Sequence, residues 1–188
     1  MAKTSEVIIS GFGGQGALFA GQILAYTGMD TGKHVTWIPS YGPEMRGGKA
    51  RCTVVVSDEE IGSPIVRQPS SVIVMNIPSM EAYEPTVKPG GVLIVNSSLV
   101  NLTSERDDIS VLYVLATAMA VQMGNPRIAN MILLGAWAVA TGVVTIEQLA
   151  QTLTDHLPPE KQNLVWINQQ ALLRGAALAR EQLEVVVV

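Results

Sequence analysis

Short apolar runs alternate with stretches at helical spacing along almost the whole chain. The first run, Val7-Ile8-Ile9, is β-branched and meets a turn carrying Gly11, Gly13, Gly14 and Gly16. A small-residue helix is predicted after it, from about Gln15 to Asp30, closed by Thr31-Gly32. Further strands are expected at His34–Ile38, Ala50–Ser57, Ser71–Met75, Val92–Val95 and Val111–Leu115. Asp58-Glu59 reads as a turn into a second short run, Glu60-Ile61-Gly62, which makes a hairpin there. Helices are expected from Pro78 to Tyr83, from Thr117 to Met123 and from Arg127 to Thr141, the last stopped by Gly142. Thr145-Ile-Glu-Gln148 has the form of a capping box, with Ile146, Leu149, Leu153 and Leu157 following on one face. A last helix is expected after Pro158-Pro159. The tail Val185–Val188 suits either pairing with a partner or sheet edge, or a frayed end.

Strands alternating with helices at these lengths imply an α/β fold. The expected form is a Rossmann-like, mainly parallel sheet with helices on both faces, a β-hairpin insertion and a C-terminal helical segment. It reads as one domain over 1–188, with an α/β core at 1–125 and a helical part at 126–183. In such sheets ligands bind outside the carboxyl ends of the strands. The Gly11–Gly16 turn, the Ser40–Gly48 stretch and Asn96-Ser97-Ser98 are all predicted to lie at that edge. The strand–turn–helix context gives the glycine spacing its meaning. Gly11 suits a tight turn, Gly13 a close backbone approach and Gly16 close helix packing, and the first N–H groups of the helix suit an anion. Two readings stand: a phosphate-bearing ligand, or glycines that only let helix and strand pack. An ordinary dinucleotide enzyme is disfavoured. The second strand should end in Asp or Glu about 20 residues after the turn, and here it runs into Pro39-Ser40-Tyr41-Gly42.

The chain is 48% apolar and 15% charged, against about 25% charged in ordinary globular chains. A large subunit interface is the simplest use for so little charged surface. The net charge of −4 leaves no electrostatic footprint for nucleic acid or an anionic membrane. One cysteine, Cys52, excludes a disulfide framework and cannot ligate an iron–sulfur cluster alone. His34 and His156 lack metal-ligand spacing. The uncharged stretch from Ile128 to Ile146 is interrupted by Asn130, Thr141, Gly142 and Thr145, so a buried helix is expected there and not a membrane span. No basic-then-apolar leader is apparent, and a cytoplasmic protein is expected.

The most chemically dense segment is Ser40-Tyr41-Gly42-Pro43-Glu44-Met45-Arg46-Gly47-Gly48. Arg46 offers a planar fork for carboxylate or phosphate, Glu44 a partner to fix it, and Tyr41 an apolar face with a polar tip. A solvated turn with an incidental Glu/Arg pair is the alternative.

Gly11-Phe-Gly-Gly-Gln-Gly16 after the first strand, with Tyr41-Gly-Pro-Glu-Met-Arg-Gly-Gly48 after the second, resembles the gamma subunit of 2-oxoacid:ferredoxin oxidoreductases. The branch acting on 2-oxoglutarate or branched-chain 2-oxoacids is the more similar. Met123-Gly-Asn-Pro-Arg127 through Asn130-Met-Ile-Leu-Leu-Gly135 is similar as well, and the resemblance spans roughly residues 5 to 180. The beta subunit of indolepyruvate oxidoreductase shares the glycine turn but differs in the second motif.

The resemblance implies a subunit of an enzyme that turns a 2-oxoacid, 2-oxoglutarate first, and coenzyme A into acyl-coenzyme A and carbon dioxide while reducing ferredoxin. It implies alpha and beta partner subunits holding thiamine diphosphate and magnesium between them, iron–sulfur clusters on beta or a delta subunit, and no catalytic residue or tightly bound cofactor on this chain. Gly11, Gly13, Gly14, Gln15, Gly16, Ser40, Tyr41, Glu44 and Arg46 are the implied contacts, to coenzyme A or across the subunit interface. Asn125, Arg127 and Asn130 read as a cap and helix start. Rival readings are a self-contained nucleotide-binding or sensor protein, and a purely structural adaptor.

Overall fold

The computed structural model describes residues 4–42 and 48–185, without the side chain of Val185. Six strands form one sheet: β1 (Thr4–Phe12), β2 (His34–Tyr41), β3 (Lys49–Ser57), β4 (Ser71–Val74), β5 (Val92–Asn96) and β6 (Ser110–Val114). Their order is β2-β3-β1-β4-β5-β6. β3 runs antiparallel to both its neighbours, and β4, β5 and β6 run parallel to β1. Because β2 opposes β3 as β1 does, β2 points the same way as the other four. Among the described residues β3 is the one reversed strand.

The α-helices are α1 (Ala17–Asp30), α2 (Ile77–Tyr83), α3 (Ala116–Gln122), α4 (Ala129–Thr141), α5 (Ile146–His156) and α6 (Val165–Val185). Strand side chains alternate between the two faces. Val7, Ile9, Cys52, Val54, Val56, Ile73, Ile94 and Leu112 point into a core shared with all these helices except α2. Ile8, Val72, Val74, Leu93 and Val95 point the other way, against Met80 and Val87. Being buried on both faces is why β4 and β5 read as unbroken apolar runs.

α4 is the buried helix expected from its uncharged sequence, with Trp137 fully enclosed and its indole donating to Ser71 Oγ at 2.8 Å. Among the described residues no helix is long and apolar enough to cross a membrane. α4 and α6 pack so closely that backbone meets backbone at Gly135 and Gly175. The capping box at Thr145–Gln148 is present, and Gly142 ends α4 at φ 62.

Three expectations change. The hairpin is formed by β2 with β3, joined through 42–48, and not by residues after Asp58; Glu60-Ile61-Gly62 is in no strand. A turn signal marks where a chain bends but not which strand it returns to. β2 continues past Ile38 to Tyr41, its Pro39 tolerated because the strand lies at the sheet edge. The prolines before the last helix open a 3₁₀ segment, Pro159–Leu164, and the α-helix starts only at Val165 and includes Val185. Residues 186–188 lie outside the described part.

Candidate functional site

All five co-directed strands end at one edge of the sheet, where β3 begins. The turn between β1 and α1 lies at the centre of that edge. Gly11 belongs to β1, opposite Ala50, and so does not make the turn as its spacing suggested. Its missing side chain leaves room instead: a Cβ there would stand 2.6 Å from Gln15 Oε1 and 2.9 Å from Met75 Cβ. The turn itself uses Gly14 at φ 97 and Gly16 at φ 81, values that L side chains rarely adopt. Gly16 is the N-cap of α1 and has no side-chain cap. Its carbonyl receives Asn130 Nδ2 at 3.1 Å, and a Cβ on it would stand 2.5 Å from that nitrogen.

Much of the turn's hydrogen-bonding capacity is already used. Gly13 donates its N–H to the carbonyl of Gly48 at 2.9 Å, and Gln15 donates its own to Phe12 at 3.1 Å. The Gln15 side chain braces the edge: Oε1 accepts the Phe12 N–H at 2.6 Å, and Nε2 donates to the Met75 carbonyl at 3.2 Å. What the sequence presents as an array of open donors is therefore a knitted turn. The N–H groups of Gly14 and Gly16 have no partner among the described residues.

Two depressions flank the turn. An apolar cleft of about 530 Å³ lies between Phe12, Gly14, Phe19, Tyr41 and Lys49. On the other side a crevice of about 180 Å³ brings Gly14 and Gln15 together with Asn96, Arg127 and Asn130. The three predicted places thus converge, but Asn96 and Ser98 are engaged in holding α3. Asn96 Nδ2 donates to Thr117 Oγ1 at 2.9 Å, and Ser98 Oγ accepts the Ala118 N–H at 3.1 Å. Ser40 and Tyr41 end β2 and are exposed, Tyr41 at 71%. Glu44 and Arg46 lie outside the described residues. Asn125 caps the Arg127 N–H at 3.1 Å, as a helix start requires.

Sequence reading passed over a further group. Lys49 and Arg51 lie on one face of β3, and with Asn76, Ser79 and Tyr83 they line a cleft of about 300 Å³ beside α2. Their signal was available: cations at alternate positions opening a strand whose intervening residues, Ala50 and Cys52, are buried. Among the described residues no cluster of three His, Cys, Asp or Glu could hold a metal ion. Cys52 is fully buried, its thiol donating to the Ala17 carbonyl at 3.4 Å, and burial pushes its pKa up to about 12. A thiol held neutral in this way is core, not a nucleophile.

A mostly parallel sheet with one reversed strand, and a glycine turn opening the first helix, defines a doubly wound α/β protein, a class whose ligands bind at the strand ends. Residues 6–178 match the family described as pyruvate ferredoxin/flavodoxin oxidoreductase, and the chain belongs to that family. It is 36% identical over 170 residues to the 2-oxoglutarate synthase subunit KorC of Methanothermobacter marburgensis, an alignment covering 85% of this chain and 91% of that protein. It is 34% identical over 182 residues to the ketoisovalerate oxidoreductase subunit VorA of the same organism, across 95% of this chain. There it spans just 37% of the relative's length. The crystal structure of the keto/oxoacid ferredoxin oxidoreductase gamma subunit from Geobacter sulfurreducens superposes with a TM-score of 0.79 at 29% identity, over 94% of this chain and 99% of that one.

Proposed function

We propose that this chain is the gamma-type subunit of a cytoplasmic 2-oxoacid:ferredoxin oxidoreductase, with 2-oxoglutarate as the substrate of the assembly. The observation that carries this reading is the coextensive match to a 2-oxoglutarate synthase subunit, 85% of one chain on 91% of the other. The reaction oxidises the 2-oxoacid, releases its carboxylate as carbon dioxide and joins the acyl group to coenzyme A, with the electrons passing to ferredoxin. The composition supports a dependent role. A single cysteine cannot ligate a cluster, and the family resemblance implies that the clusters, and the thiamine diphosphate with its magnesium, belong to alpha, beta or delta partners.

This chain's contribution is at its sheet edge. The glycine turn, with Ser40 and Tyr41, offers an apolar cleft and the N–H groups of Gly14 and Gly16 to coenzyme A or to the facing subunit. Glu44 and Arg46 belong to the same stretch of sequence and are assigned to the same contact. The braced turn supports a preformed surface and not one that must fold around its partner.

The test is to recover the tagged chain from its source cells and assay coenzyme A-dependent viologen reduction with 2-oxoglutarate, pyruvate and 2-oxoisovalerate. Co-purifying subunits with activity greatest on 2-oxoglutarate are expected. Activity greatest on another 2-oxoacid would overturn the substrate, and a lone inactive chain retaining a nucleotide would overturn the subunit role.

A further inference from the structure

Of the chain's three tryptophans, Trp137 is enclosed in the core and Trp37 packs against it. Trp166, at the start of α6, is 66% exposed. It opens a stripe along the helix. Trp166, Leu173 and Arg180 recur every seven residues, with Ala177 and Glu184 beside them, and all five are exposed. Seven residues make nearly two full turns, so these side chains stand on one side of the helix. The other side carries Ala171, Leu172 and Ala179, all fully buried. It packs on α4 at the two backbone-close glycines, Gly135 and Gly175.

The charges of this face are not matched within the chain. Lys161, Arg180 and Glu184 form no ion pair among the described residues, whereas Lys33 and Arg106 are each paired elsewhere on the surface. Among the described residues Trp166 enters no ring stack or cation–π contact. The stripe differs end to end: Lys161 and the indole at its start, Arg180 and Glu184 at its finish. An antiparallel copy turns that difference into a match. A two-fold axis at Leu173 sets this leucine against itself. Trp166 and Arg180 each lie seven positions from it, about 10.5 Å along the helix, so each indole meets the other copy's guanidinium. Lys161 and Glu184 lie twelve and eleven positions from the axis and fall opposite one another as well. Arg174 and Glu181, about 90° round the helix from Leu173, stay in solvent at the flank.

We propose that this face of α6 is where two copies of the chain associate, antiparallel about a two-fold axis at Leu173. An isologous contact makes every unlike pairing twice. Here that gives two tryptophan–arginine pairs around a shared leucine, the residue types that carry most interface energy. A parallel copy would set Lys161, Arg180 and Glu184 each against its like, which opposes association. Because α6 is already fixed on α4, the face is preformed and docking orders little of the chain. A single helix pair falls short of the roughly 1,200–2,000 Å² of standard interfaces, so the dimer is expected to be weak and concentration-dependent. The inference rests on the α6 face and not on the subunit assignment.

The experiment is analytical ultracentrifugation of the full chain from about 1 μM to about 1 mM, paired with cysteine cross-linking. The dimer fraction is expected to rise with concentration. Trp166→Ala and Leu173→Glu should each weaken association by about tenfold or more, the scale of a central interface side chain. Met29→Ser, which removes an exposed apolar side chain on α1, should leave it unchanged. The natural thiol, Cys52, is buried, so a thiol introduced on α6 reacts without competition. Leu173→Cys should oxidise to a disulfide-linked dimer, because a residue on the two-fold axis meets itself. Trp166→Cys should not cross-link alone, but should do so when mixed with Arg180→Cys. A monomer throughout the concentration range would overturn the proposal. A dimer untouched by Trp166→Ala and Leu173→Glu would place the contact on another face. Self-cross-linking of Trp166→Cys would mean a parallel pair and overturn the two-fold arrangement. None of these outcomes bears on whether the chain assembles with oxidoreductase subunits.

Discussion

The side-chain carbonyl of Gln15 accepts the backbone N–H of Phe12 at 2.6 Å, closing the glycine turn on the last residue of the first strand. The same side chain reaches Met75 through Nε2, and Asn76 Nδ2 approaches Oε1 at 3.4 Å. One residue therefore ties the first strand–helix turn to the next turn along the sheet. Gln15→Ala should cost about 1–2 kcal/mol, since the half-buried contact to the Met75 carbonyl and the exposed one from the Phe12 N–H are both lost. In a chain of this size that lowers the melting temperature by about 2–8 °C. Gln15→Glu keeps the acceptor for Phe12 but loses the donor to Met75, and should fall between. A melting temperature unchanged in Gln15→Ala would show that the brace does not hold the turn.

Helices α4 and α6 meet at two glycines. A Cβ on Gly175 would stand 1.8 Å from the carbonyl oxygen of Ile132, and one on Gly135 would stand 2.1 Å from that of Leu172. Both obstacles are backbone, so the helices must separate to accept a methyl group. Gly175→Ala and Gly135→Ala should each destabilise by about 1–3 kcal/mol or more. The double variant should cost less than the sum, because one separation relieves both clashes. Gly62→Ala, with nothing within 4 Å of the added atom, is the control and should be close to neutral in chemical denaturation.

How far the sequence foretells this structure depends on whether the signal is local. Val7-Ile8-Ile9, the glycine turn, the capping box at Thr145 and the helix stop at Gly142 are local, and each is found where expected. The insertion of β3 beside β1 is not local. Its valine-rich alternation declares a strand, but its position between β1 and β2 needs pairings with β1 that run from Phe12 with Lys49 to Thr4 with Ser57, far apart along the chain. Separation along the chain also hid the cleft beside α2. Lys49 and Arg51 gain meaning only when α2 brings Tyr83 beside them. The brace that Gln15 makes was hidden too, because its partners Met75 and Asn76 are 60 and 61 positions away. The resemblance carried in Gly11–Gly16 and Tyr41–Gly48 reached the family directly, since those motifs are contiguous.

The N-terminus of α5 gives a pH-dependent test. Thr145 Oγ1 accepts the Gln148 N–H at 3.2 Å, and Gln148 Oε1 accepts the Thr145 N–H at 2.8 Å. Glu147 lies in the same first turn, and its own backbone N–H, then the Thr145 hydroxyl, hold its carboxyl below the usual carboxylate range. A depressed carboxyl contributes stability above its unfolded pKa and loses it as pH falls through the folded value. Thr145→Ala should cost about 1 kcal/mol at neutral pH and move the Glu147 titration, followed by NMR, upward. A titration unmoved by Thr145→Ala would mean that the hydroxyl does not reach the carboxylate.

Cys52 tests the opposite end of the pH scale. Burial dominates, and although the Trp37 indole and nearby backbone oppose it, the thiol is pushed up from an ordinary 9.0 to about 12. In the unfolded chain the thiol ionises near its ordinary value, while the native state keeps the proton. Between the two values the native state binds more protons, so stability falls as pH rises. The contribution is complete below about pH 9 and drains away toward 12. Urea midpoints measured from pH 8 to about pH 10.5 should therefore decline, and Cys52→Ala should flatten the decline even if the small cavity lowers stability throughout. At pH 8 the native thiol should react with a disulfide reagent only as fast as the chain opens, because the thiolate is the reactive species. Rapid labelling of the folded chain, or an unchanged slope in Cys52→Ala, would show that the thiol is reached by solvent and that the seam between Ala17 and β3 is looser than the structure has it.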